Sequence, residues 1–116
     1  MSKPVGPYTP IVSAGDWLIA SGQVGIADGA LVDGGMGAQL RQALANLKGL
    51  VEGRGARLDQ VVKTTVFLVD MDDYAEMNEI YTGFFGDHRP ARSAVAVAEL
   101  PLGARIEVEA WIHTGS

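Results

Sequence analysis

Along the chain, the spacing of apolar positions switches between alternation and a helical period. Pro10-Ile11-Val12-Ser13 and Trp17-Leu18-Ile19-Ala20 flank the turn-forming Ala14-Gly15-Asp16. This predicts a β-hairpin that runs into a further strand through Ser21-Gly22-Gln23-Val24. Asp28-Gly29 and Asp33-Gly34-Gly35 mark turns. From Gly37, the residues Leu40, Ala43, Leu44, Leu47 and Val51 recur at helical spacing, while Gln39, Arg41, Gln42, Asn46 and Lys48 fall elsewhere on the wheel. The pattern predicts an amphipathic helix ending near Gly53 or Gly55, with Arg54 suited to its negative end. Gly49 in its interior costs about 1 kcal/mol relative to Ala, unless another backbone packs close there.

The β-branched run Val61 to Val69 has strand length and two largely apolar faces, which predicts a central strand. Asp70 is a good N-cap, and Asp72 and Asp73 put negative charge in the first turn of a second helix. Tyr74, Met77, Tyr81, Phe84 and Phe85 supply that helix's spacing before Gly86 stops it. Ser93 to Ala98 reads as a short strand. In the last strand Ile106, Val108, Ala110 and Ile112 alternate with Arg105, Glu107, Glu109, Trp111 and His113. One face feeds the core, and the other carries two carboxylates about 7 Å apart.

Two β-α-β crossovers beside a hairpin predict an α+β two-layer sandwich: a mixed five- to six-stranded sheet with both helices on one face. The 116 residues, against about 150 for a typical domain, correspond to one domain spanning 1–116. The uncovered face, with Glu107, Glu109 and Trp111, needs solvent or a partner. Trp111 and the apolar central strand favour a homo-oligomer whose sheets pack together.

Composition narrows the chemistry. Nine Lys and Arg against 14 Asp and Glu give a net charge of −5 with no basic block, which weighs against nucleic acid and anionic membranes. There is no cysteine, so thiolate catalysis, disulfides and Cys-bound zinc are excluded. No apolar run approaches the length of a membrane span, and Met1 to Pro7 lacks a leader's apolar core, so a cytoplasmic protein is the expectation. His88 and His113 are the only histidines, too few for a zinc site of three or four ligands. No Ser-His-Asp arrangement is marked by a G-x-S-x-G elbow, and Gly35-Met36-Gly37 reads as a turn rather than an anion cradle.

Arg89-Pro90-Ala91-Arg92-Ser93 is different. Arg92 sits where loop becomes strand and offers a planar fork for a carboxylate. That carboxylate is either Glu107 or Glu109 in a salt bridge, or a substrate's. In the second case a glutamate would hold a water, which is sufficient to hydrolyse an already electrophilic imine without metal or covalent intermediate. Tyr8 is a hydroxyl donor or a packing residue, and Asn78 alone would pass for a solvated helix position.

Gly6-Pro7-Tyr8, Ser21-Gly22-Gln23, Gln42-Ala43-Leu44-Ala45-Asn46-Leu47, Val62-Lys63-Thr64-Thr65-Val66-Phe67, Pro90-Ala91-Arg92-Ser93 and Ile106-Glu107-Val108-Glu109-Ala110 occur in one order. Together, across residues 5–113, they resemble the RidA (YjgF) family of reactive-intermediate deaminases. The resemblance implies a chorismate-mutase-like fold and a homotrimer with three clefts between subunits. It also implies cofactor-free hydrolysis of 2-imino and 2-enamino acids, such as 2-aminoacrylate, to 2-oxo acids and ammonia. Carried over by position, Arg92 pairs with the substrate carboxylate and Glu107 orients the attacking water. Tyr8, Ser21, Gly22 and Asn78 line the pocket. Many members have Cys where this chain has Ala94, and most have a longer, aromatic-containing loop where it has His88-Arg89-Pro90. Both departures bear on the pocket's shape and so on which imine fits. A non-catalytic trimer binding small carboxylates or partner proteins is the alternative, and RNA cleavage, attached to some relatives, is opposed by the charge.

Overall fold

The computed structural model describes residues 6–115; Met1 to Val5, which carry most of the leader reading, lie outside the described residues. In chain order the elements are β1 (Ile11–Ala14), β2 (Trp17–Gln23), β3 (Ile26–Ala27), β4 (Ala30–Leu31), α1 (Gly35–Gly53), β5 (Val61–Leu68), α2 (Tyr74–Phe85), β6 (Ala91–Ala96) and β7 (Ile106–His113). Five strands form a mixed sheet in the order β1-β2-β7-β5-β6, and both helices cover one face. Among the described residues, only β5 and β6 pair in parallel. The last strand therefore inserts between β2 and β5, so β7 is the middle strand, and the Val61 run, flanked by β7 and β6, is interior as its apolar faces predict. No helix among the described residues is long and apolar enough to cross a membrane.

The helix stripes form as their spacing predicts. Leu40, Ala43, Leu44, Leu47 and Val51 are all buried, against Val61, Val66 and Leu68 of β5 and the alternating face of β7. Truncating one such leucine removes about 2–5 kcal/mol. Within α2 only Met77, Tyr81 and Phe85 are buried, while Tyr74 is at the rim. The Asp70 carboxylate accepts from the Asp72 N–H in a 3-10 turn that precedes α2, and Gly86 closes the helix at φ 65°.

Polar residues on α1 have structural partners that periodicity does not reveal. Gln39 is buried, and its side-chain oxygen accepts from the Arg105 N–H. Asn46 donates to the carbonyls of Val24 and Ile26, and so docks the β3–β4 ribbon onto α1. Arg54 reaches past its own helix end to Ser13 Oγ and the Ile11 carbonyl, tying α1 to the edge strand β1. Gly25 is required by a close approach: a Cβ there would lie 2.4 Å from the Gln39 carbonyl oxygen. Gly49, in contrast, faces open space, so its backbone cost has no compensating contact.

The face away from the helices carries Val12, Trp17, Ile19, Phe67, Val95 and Trp111. Trp17 and Trp111 meet edge to face at 6.1 Å, and each leaves about 40% of its surface exposed (38% and 41%). This is a large apolar surface for a sheet open to water.

Candidate active site

Strand β6 begins at Ala91, two residues earlier than the apolar pattern predicts, and places Arg92 opposite Thr64 on the neighbouring β5. Thr64 in turn faces Ala110 of β7, and both are fully buried beneath the helices. Arg92 therefore leaves an edge strand on the helix side, beside the first turns of α2. Its Nη2 donates to the Tyr74 hydroxyl at 3.1 Å, and Nη1 approaches Met77 Sδ at 3.6 Å. Its guanidinium carbon sits 4.9 Å from the centre of the Tyr81 ring, within cation–π range.

Neither Glu107 nor Glu109 forms a salt bridge with Arg92. Strand β5 lies between β6 and β7, and the two glutamates point to the other face of the sheet. Among the described residues Arg92 has no carboxylate within salt-bridge distance, so most of its donor fork is unclaimed by oxygen. Arg105 pairs with Asp73 at 3.0 Å.

Below Arg92, the hydroxyls of Tyr81 and Thr64 share a buried hydrogen bond of 2.6 Å. Burial raises the Tyr81 phenol's proton affinity, against the lowering effects of that bond and of Arg92, so it stays neutral. Asn78 stands on the same helical stripe, one turn beyond Tyr74, and its side-chain oxygen is buried without a partner. An unpartnered buried amide acceptor is uncommon in folded proteins.

A second cluster forms on the opposite face. Glu107 is half-buried, and its carboxyl lies against Gly22: a Cβ at that glycine would be 2.6 Å from the carboxyl carbon. Burial pushes the Glu107 carboxyl up, and repulsion from Glu109 adds to the effect. Ser21 and Gly22 belong to β2 itself, at a register shift between Ala20 and Gln23, and not to a further strand. The shift is a β-bulge, which re-aims side chains locally. Ser21 Oγ donates to the Thr9 carbonyl at 2.6 Å, which brings the Gly6–Thr9 segment, with its exposed Tyr8, beside the bulge.

The fold thus groups the six predicted residues in two sets. Ser21, Gly22 and Glu107 share one set with the Tyr8 segment, Arg92 and Asn78 the other, and the sheet separates them. Sequence reading missed Tyr74, Tyr81 and Thr64 as parts of the arginine's surroundings, treating the tyrosines as core stripe. The available signal was a lone threonine on the core face of a Val-rich strand, matched by tyrosine rather than phenylalanine on α2. His88 bonds the Val61 carbonyl and His113 meets Trp17 edge to face, and among the described residues no three His, Cys, Asp or Glu side chains converge. A groove of about 490 Å³ between the helices, lined by residues including Arg41, Glu76 and Phe84, shares no residue with either set.

Residues 1–114 match the family described as Endoribonuclease L-PSP. The chain belongs to this family, also called YjgF/RidA. It is 46% identical over 110 residues to a RutC family protein of Pyrococcus horikoshii, covering 93% of this chain and 87% of that one. It is 44% identical over 108 residues to the mouse protein named 2-iminobutanoate/2-iminopropanoate deaminase, covering 91% and 80%. The crystal structure of the YjgF gene product of E. coli superposes with a TM-score of 0.90 at 40% identity, covering 97% and 91%.

Proposed function

We propose that this YjgF/RidA chain hydrolyses 2-imino acids, and the 2-enamino acids that tautomerise to them, to 2-oxo acids and ammonia. Arg92 holds the substrate carboxylate. Glu107 positions a water and accepts one of its protons as the oxygen bonds to the imine carbon. The resulting carbinolamine collapses once its nitrogen is protonated, the C–N bond breaks, and ammonia leaves. Imine and water in, 2-oxo acid and ammonia out, close the balance without a redox partner or cofactor.

The observation that carries this reading is Arg92 itself, a guanidinium seated on tyrosines with no carboxylate partner among the described residues. The names of the mouse relative and of others at 38–43% identity support the same reaction class. Tyr8, Ser21, Gly22 and Asn78 are proposed to line the pocket.

Because Arg92 and Glu107 leave one chain on opposite faces of its sheet, we place the complete site in a cleft between copies, in a homotrimer. The exposed Trp17, Trp111, Val12 and Val95 supply an apolar face suited to that assembly. The family's description as endoribonucleases is not the reading favoured here. A chain of net charge −5 has little means of attracting a polyanion.

The test generates imines in situ with an amino-acid oxidase and follows the semicarbazide-trappable species. Wild-type protein should deplete it, and Arg92→Ala should lower kcat/KM by about 100-fold or more, the scale of two lost charge-assisted hydrogen bonds. An unchanged trapping rate with wild-type protein, alongside thermal stabilisation by small carboxylates, would assign the chain to binding without catalysis.

A further inference from the structure

We infer that Tyr74 and Tyr81 form a seat that orients the Arg92 guanidinium, with the Tyr74 hydroxyl as the positioning group that sets affinity for the substrate carboxylate. The inference rests on the proposed role of Arg92. A long flexible side chain on an edge strand must lose rotamer freedom before it can bind a carboxylate in a defined plane, and pre-ordering it removes that cost from binding. Here the ordering elements surround the group. Tyr81 supplies a ring face 4.9 Å below the guanidinium carbon, and its own hydroxyl is locked to Thr64, so the ring cannot turn away. Tyr74, seven residues earlier on the same stripe of α2, stands at the rim with 37% of its surface exposed. Its oxygen takes one Nη2 proton at 3.1 Å. Met77, between them, meets Nη1 only through sulfur, a weak acceptor.

One N–H is therefore held by a neutral oxygen while the rest of the fork remains for the ligand. A phenol cannot neutralise the guanidinium as a carboxylate would, so the charge stays available to the substrate.

The test compares wild type, Tyr74→Phe and Tyr81→Phe for imine hydrolysis and for binding of 2-oxobutanoate by calorimetry. Tyr74→Phe keeps the ring and loses the acceptor. Since the clamp holds the carboxylate in ground and transition states alike, KM and Kd should rise about 10-fold with kcat within about two-fold. Tyr81→Phe keeps the ring face but releases it from Thr64 and strands the Thr64 hydroxyl, so its melting temperature should fall and its KM should rise by less than in Tyr74→Phe. An unchanged or lower KM and Kd in Tyr74→Phe would overturn the inference, as would loss of kcat alone. The two readings fail separately. Wild type that binds 2-oxobutanoate without hydrolysing imines, with Tyr74→Phe binding more weakly, keeps the seat and removes the deaminase. Wild type that hydrolyses imines, with Tyr74→Phe indistinguishable from it, does the reverse. If wild type neither binds nor hydrolyses, both are overturned.

Discussion

Gly22 and Glu107 fit together only because one of them has no side chain. A methyl group at residue 22 would come within 2.6–2.9 Å of the Glu107 carboxyl group and Cγ. The obstruction is the end of a flexible side chain and not backbone, so the fold can survive the change while the carboxylate cannot keep its place. Gly22→Ala should therefore leave the melting temperature close to wild type and lower kcat/KM for imine hydrolysis by about 100-fold, the usual scale for an ångström-sized misplacement. Circular dichroism beside steady-state kinetics reads both effects.

In its proposed role Glu107 must be ionised to accept a proton from water. Its pKa lies above the ordinary 4.5, through burial first and Glu109 second. Activity should fall on the acid side as pH drops through that raised value. Glu109→Gln removes the second cause and should move the acid limb to lower pH, with the plateau rate little changed. A pH profile of kcat/KM for the two proteins decides it.

The same shift predicts a stability effect of definite sign. A carboxyl whose folded-state pKa is raised stabilises the fold below its unfolded value, and that contribution is lost as pH rises through the folded one. At neutral pH the ionised Glu107 is thus a cost. Glu107→Gln should melt higher than wild type at pH 7, and the difference should vanish below about pH 4.5, the ordinary carboxyl value. Calorimetric melts across that range measure it.

Two glycines should respond in opposite directions. Gly25→Ala forces a Cβ into the α1 backbone at Gln39 and should cost about 1–3 kcal/mol or more. Gly49→Ala meets nothing within 4 Å and should add about 0.5–1 kcal/mol by stiffening the helix. Urea unfolding of both variants gives the comparison.

What the sequence revealed and what it hid follow from how far each interaction reaches along the chain. The α1 stripe from Leu40 to Val51 and the alternation from Ile106 to Ile112 are local patterns, and both bury as read. Strand order is not local. Nothing in the Val61 run announces that β7 will insert beside it and take the middle of the sheet. That one insertion explains the misplaced partner of Arg92: with β5 between β6 and β7, the arginine turns to Tyr74, and the glutamates lie on the other face. Asp73, read as negative charge at the start of the second helix, also pairs with Arg105, 32 residues away. Arg92, Glu107, Ser21, Gly22, Asn78 and Tyr8 could be proposed from the family resemblance. Their division between two sheet faces could not.

That division makes the most direct test of the account a mixing experiment. Arg92→Ala and Glu107→Ala chains should each be nearly inactive in imine hydrolysis. Unfolded together in equal amounts and refolded, they should recover about a quarter of the wild-type rate, because random assembly sets an intact arginine against an intact glutamate at one cleft in four. Refolded mixtures no more active than either variant alone would contradict a site shared between copies of this chain.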